Sequence, residues 1–300
     1  MLLQLSGQGL SNIKVFILKT MERMESFMNR LKHRFEVIKA VALVTYKEWS
    51  AYRTHSMVSI FVGPVYFLVQ YFIWNAVYGS QGTALHGLEL EQMLRYFGAI
   101  TLIGYLTMDF ADWNLQMLVH SGKFLTYQLR PIHHRFFALS QKLGHRVLGF
   151  LFEFLPCFLI FQFIFKINMI PKYLGFTIIS ILFAFFMNFY VNYCIGLSAF
   201  WLVQASGIRN VFQALSSVFS GALIPLVFFP DFIQKLLFFL PFQYTTYVPA
   251  MVFSGSYTLA GISVSIPQIV LLQGIILLLT IGLSEVLYRR AIHRFTAVGG

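Results

Sequence analysis

Charge is scarce in this chain. Asp, Glu, Lys and Arg make up only 11% of its 300 residues, whereas an ordinary soluble domain carries about 25%. Hydrophobic residues reach 58% and the mean hydropathy is +0.71. A single aqueous core is excluded, and a polytopic membrane protein is the reading that remains. Acids are scarcer than bases, 11 against 22, which leaves a formal charge of +11. That excess invites a nucleic-acid partner, but the basic residues flank apolar runs, where they carry topology information. The expected surroundings are membrane lipid, with no nucleic acid.

Cysteine is nearly absent. Cys157 and Cys194 both fall within apolar runs, lack metal-ligand spacing and read as small apolar residues. The histidines are scattered apart from the pair His133 and His134, so no converging metal site is expected. No catalytic constellation appears, and the chain is not expected to be an enzyme. A phosphate-cradling loop is missing too: Gly122-Lys123 runs on into Phe124, with no glycine at the required offset. Any ATP, with its Mg2+, must be bound by another chain. The first twenty residues lack a cleaved-signal pattern, and Met21 and Met24 offer alternative starts. There is no internal repeat, which weakens an inverted-repeat carrier.

What is present is a series of long apolar runs. An N-terminal extension, 1–27, precedes an amphipathic helix over 28–54. On that helix Met28, Leu31, Phe35, Ile38, Ala42, Thr45, Trp49 and Tyr52 share one stripe, as suits a membrane surface. Residues 55–292 then form a six-helix transmembrane domain, and 293–300 a tail. Spans are expected at about 56–78, from 94 past Asp109, 147–165, 174–202, 211–229 and 266–287, each near the roughly 20 residues that a crossing needs. The fold class is therefore all-α. Eighteen of the 22 Lys and Arg fall on one side of this zigzag, in the N-terminal arm, the loop after the second span, Arg209 and the tail. This bias places both termini in the cytoplasm.

Few polar groups lie within the spans. Asp109 and Asp112, three apart, fit either structural ion pairs with Arg146, Arg209, Arg289 or the N-terminal helix, or an ion- or proton-coupled carrier. Their place towards cytoplasmic ends favours the ion pairs, and the same holds for Glu153 and Glu285. Asn188 and Asn192 share a face and can bond across helices or line a pathway. Ser217 and Gly221 form a small-xxx-small pair suited to close helix packing, within the chain or at a dimer interface. The loop 120–146 holds Pro131, which suits a helix's first turn. It is either a solvated basic loop or a short helix that docks into a partner.

The densest signal lies in 221–256, where prolines break an apolar stretch. Pro225 interrupts the run, and Pro230 and Pro241 bracket a short phenylalanine-rich helix. Broken backbone at membrane depth is tolerated when buried in protein or lining a cavity. The segment reads as re-entrant, with Pro225, Pro230, Phe238, Phe239, Pro241 and Phe242 as a gate or pathway wall.

From about Phe35 to the tail, the pattern resembles the membrane subunits of type-two ABC exporters. The resemblance is carried by Gly221, Pro225, Phe229-Pro230, Leu240-Pro241-Phe242 and Pro249, in order after a fifth span. It implies an ATP-driven permease that forms its pathway as a dimer with an identical or similar second permease, on separate cytoplasmic ATPase subunits. ATP and Mg2+ would sit on that ATPase. The resemblance also implies that Leu129, Arg130, Pro131, Ile132, His133, His134, Arg135 and Phe136 form the ATPase-coupling loop. The location it implies is the bacterial cytoplasmic membrane, and the cargo stays open among lipid, glycolipid, peptide and drug-like amphiphile.

Overall fold

The computed structural model describes residues 32, 34–48, 53–81, 84–85, 87–130, 132–202 and 205–294. Residues 34–48 form α1, and the rest of the amphipathic stripe lies outside the described residues or side chains. α1 packs on the third span where Gly144 lets the backbones meet: a Cβ there would stand 2.7 Å from the Ala42 carbonyl oxygen. Thr45 is buried on that side, while Phe35 stays exposed.

α2 (Arg53–Gln81) is the first span, and a two-residue hairpin, β1 (Ala84–Leu85) with β2 (Leu88–Glu89), leads into α3 (Leu90–Thr107). The second span expected from residue 94 past Asp109 is not one helix, and α3 is not among the stretches long and apolar enough to cross. α3 stops at Thr107, and α4 (Ala111–His120) restarts after three non-helical residues. A one-turn helix, α5 (Leu125–Gln128), sits in the loop that follows α4. The third span begins well before its expected start at 147. α6 (His134–Gly149) runs directly into a π-turn at Phe150–Phe154, then α7 (Leu155–Leu159), then a second π-turn at Ile160–Ile164. Pro156, in the first turn of α7, cannot donate to the helical ladder, and widened turns are a usual way of absorbing that loss.

α8 (Leu174–Gly196) ends in a 3-10 turn at Leu197–Phe200, close to the expected 174–202. α9 (Ser206–Phe219) is shorter than expected and ends ten residues early. The chain turns at Gly221, whose φ of +83° is open to glycine at little cost. α10 (Asp231–Phe239), α11 (Phe242–Thr245) and α12 (Tyr247–Ser254) follow, then a second hairpin, β3 (Thr258–Leu259) with β4 (Ile262–Ser263). α13 (Ile266–Arg294) closes the fold.

Among the described residues, four helical stretches are long and apolar enough to cross a membrane: Ile60–Gly79, His134–Ile164, Leu174–Phe200 and Ile266–Arg294. α8 lies along α13, and α3 contacts both α2 and α12. Phe61, Val65 and Phe72 of α2, and Leu271, Leu278 and Leu279 of α13, point outward and exposed. So broad an apolar exterior fits lipid rather than water. The interior is specified by polar pairs. Ser180 Oγ donates to Gln273 Oε1 at 2.7 Å, and Gln273 Nε2 donates to the carbonyls of Ser180 (3.1 Å) and Tyr244 (2.9 Å). One buried amide thus ties α8, α13 and α11 together.

Candidate functional site

Two regions hold the polar groups. The first surrounds the break between α3 and α4. The last turn of α3 exposes carbonyls that the missing helix would have bonded. Arg146 answers this: its Nη1 donates to the Tyr105 oxygen at 2.5 Å, and Glu153 Oε2 lies 3.9 Å away. A cation at a helix C-terminus also suits the helix dipole. Asp109, in the break, has Lys142 Nζ at 3.9 Å and accepts from Asn192 Nδ2 at 3.3 Å. Asp112, in the first turn of α4, is fully buried. It accepts from Arg209 Nε at 2.9 Å, Gln213 Nε2 at 3.1 Å and the Trp113 N–H at 2.7 Å.

Asp109 and Asp112 therefore do not form one free acidic face. Each has its own cation, and the break turns them towards different helices. Arg146, Arg209 and Arg289 are among the observed ion-pair partners, as the sequence suggested. Lys142 and Arg135 were missed because both stand in a stretch that reads as solvated loop. Asn192 joins this network, with Gln213 Nε2 at 3.5 Å from its Oδ1, while Asn188 is half-buried one turn earlier. A cavity of about 70 Å3 opens beside Asp109, Asn114, Gln141 and Lys142.

The loop of the coupling expectation lies at the same end. Leu129 is 81% exposed at its tip, next to exposed Leu125. Arg130 stacks on the Tyr127 ring at 4.6 Å, and Ile132 and His133 follow. Pro131 lies outside the described residues. His134 opens α6 as a buried group between Phe124 and Tyr127, with one ring nitrogen 3.1 Å from the Tyr193 hydroxyl. Arg135 donates to Glu285 of α13, which also accepts from Arg289 at 2.7 Å. Phe136 and Arg135 line a cavity of about 350 Å3 shared with α1.

The second region is the turned segment 220–246. Pro225 precedes a 3-10 turn (Leu226–Phe228), Pro230 caps α10, and Pro241 caps α11. The irregular backbone is satisfied by side chains. Tyr66 and Tyr96 donate to the carbonyls of Ala222 (2.9 Å) and Gly221 (2.8 Å). Gln234 Nε2 donates to Phe229 O at 2.6 Å, and its Oε1 accepts from the Ala260 N–H. Gln243 and Tyr244 both donate to Phe238 O, at 3.1 and 2.7 Å. This internal bonding is what lets broken backbone persist away from water. The amides and tyrosines that provide it were overlooked beside the prolines.

Phe238 is half-buried, and Phe239 is exposed with Phe232 and Leu236 along one face of α10. Phe242 packs near Phe212 and Phe219 of α9, with ring centroids 5.7 and 6.3 Å apart. Ser217 and Gly221 do not act together. Ser217 is exposed on α9, whereas Gly221 lies beyond the helix end, where Tyr96 and Tyr247 crowd its Cα. The small-xxx-small geometry needs both on one helix, and the turn removes Gly221 from it.

An apolar exterior, apolar helices of spanning length and an internally bonded broken segment define an integral membrane protein. Residues 65–299 match the family described as ABC-2 family transporter protein, and the chain belongs to that family. Members are membrane transport subunits that normally work with a separate ATPase. No curated protein and no solved structure matches the chain.

Proposed function

We propose that this chain is the permease subunit of an ATP-driven export system, paired with a second permease copy and seated on cytoplasmic ATPase subunits. The observation that carries this beyond family membership is the exposure of α9. None of its residues is buried, although it stands directly against the turned segment through Phe212, Phe219 and Phe242. A helix so uncovered, with Ile208, Val211 and Leu215 exposed, suits the seam of a dimer.

In this reading the chain crosses six times. α3 with α4 makes the second crossing, and α9 with the turned segment makes the fifth, while both termini stay in the cytoplasm. Residues 225–242 form the outer gate. The exposed Leu129 tip, with Arg130, Ile132 and His133, docks on the ATPase, and the Arg135–Glu285 pair links that loop to the last span. ATP and Mg2+ bind on the ATPase, and the cargo is an amphiphile. Engagement of Asp109 and Asp112 by Lys142 and Arg209 supports a structural role for both carboxylates over a proton relay.

Affinity purification of the intact chain from its own membranes tests the reading. An ATPase with phosphate-binding motifs should copurify, and replacement of residues 129–137 by a flexible linker should release it. ATPase retention that is indifferent to the linker would remove the coupling assignment.

A further inference from the structure

A cavity of about 270 Å3 lies between the start of α3, the turn at Pro225 and α12. Among the described residues, its one charged lining residue is Arg95. The guanidinium is held on one side only: Nη2 donates to Ile170 O at 2.6 Å, and the plane lies 5.7 Å from the Phe253 ring centre. Nε is buried and has no hydrogen-bond partner among the described residues. None of the ion pairs among the described residues includes Arg95. The side chain as a whole is partly exposed, but a buried donor left unpaired carries its own desolvation cost. At that spot a ligand anion would be favoured.

The remaining polar groups narrow the ligand. Gln92 Oε1 is taken by the Glu89 N–H at 3.1 Å, so its Nε2 is the group left to donate. The hydroxyls of Tyr96, Tyr247 and Ser254 each give their proton to a backbone carbonyl, those of Gly221, Thr258 and Ala250. They therefore present only lone pairs to the cavity. Ser256 and Thr258 add hydroxyls that can donate or accept, so a matching ligand has anionic oxygens for Arg95 and Gln92 and hydroxyl donors for Tyr96, Tyr247 and Ser254. The volume is below that usual for a drug-sized molecule, and Leu88, Val227 and Met251 add apolar wall.

We propose that this cavity binds the headgroup of an amphiphile that combines one acid with free hydroxyls, of the phosphoglycerol type. The site rests on the proposed export topology, which puts it at the outer leaflet with its wall on Pro225 of the gate. A headgroup seated there touches the gate segment directly.

Native mass spectrometry of the full-length chain, released from lipid discs of mixed phosphatidylcholine and phosphatidylglycerol, reads the binding without an ATPase. The expected result is selective retention of phosphatidylglycerol, displaced by glycerol 3-phosphate but not by glycerol. Arg95→Gln also breaks the bond to Ile170, and Gln92→Leu removes a donor together with the cap bond to the Glu89 N–H, so Ser256→Trp, which fills the mouth from an exposed rim position, supplies a further variant. Gln92→Leu should lower retention by about tenfold, as loss of a hydrogen bond to a charged group predicts, and Ser256→Trp should lower it at least as much by blocking entry. Equal retention of both lipids, indifference to glycerol 3-phosphate, or wild-type retention by Gln92→Leu and Ser256→Trp alike would overturn the site. Such failure leaves ATPase copurification untouched, and a chain that binds the lipid but no ATPase would fault the export reading instead.

Discussion

Arg209 Nε sits 2.9 Å from the fully buried Asp112 Oδ2, joining the start of α9 to the start of α4. The two partners are unequal. Arg209 keeps 27% of its side-chain surface exposed, and Asp112 keeps none. Removing the cation leaves a buried carboxylate held only by Gln213 and the Trp113 N–H, whereas removing the carboxylate leaves a cation that can hydrate. Arg209→Ala should therefore cost more than Asp112→Ala, about 2–4 kcal/mol. The double substitution should cost less than the sum of the two. Thermal midpoints of the four proteins in one detergent check this cycle.

Gln273 offers a second test. Gln273→Leu keeps the volume but strands the Ser180 hydroxyl and the Tyr244 carbonyl inside the bundle. A loss of about 1–3 kcal/mol is expected. Ser180→Ala removes one partner only and should cost less. Chemical unfolding in mixed micelles compares the two.

Gly221→Ala separates packing within the chain from packing between chains. An added Cβ would meet Tyr96 Oη at 2.7 Å and Tyr247 Cβ at 3.2 Å, on a backbone with φ of +83°. Monomer stability should fall by about 1–3 kcal/mol. Ser217→Ala, on the exposed face of α9, should leave the monomer unchanged. A Gly221→Ala monomer that melts like wild type would show that the turn relaxes without cost.

Cysteine labelling in intact cells checks the direction of the zigzag. With Cys157 and Cys194 replaced, single cysteines at Lys235 and Ser263 should react with a membrane-impermeant maleimide. Cysteines at Lys123 and His120 should react only after the membrane is opened. The reverse pattern would turn the chain over and put the Arg95 cavity inside the cell.

Local chemistry explains which features were visible in the sequence. Pro230 and Pro241 bracket the short helix α10 as expected, because a missing N–H acts wherever it stands, though α11, which Pro241 opens, was not foreseen. The α8 and α13 spans were equally plain, since long apolar runs allow little else. The break after Thr107 has no proline or glycine to announce it; it depends on Arg146, forty residues away in sequence. Lys142 read as a loop cation, but α6 carries it inward to donate to Phe185 O at 2.8 Å. Gly221 was visible as a small residue, though not as the turn that shortens α9. Such roles belong to tertiary partners, which no local window contains.

From His134 to Ile164 the helical rise never stops, even where its turns widen around Pro156. Thirty-one residues at 1.5 Å each make a lever arm about 46 Å long. Its short end adjoins the Leu129 tip and its far end reaches the opposite side of the protein. The wide turns lie on either side of Pro156 and are where such a helix bends most readily.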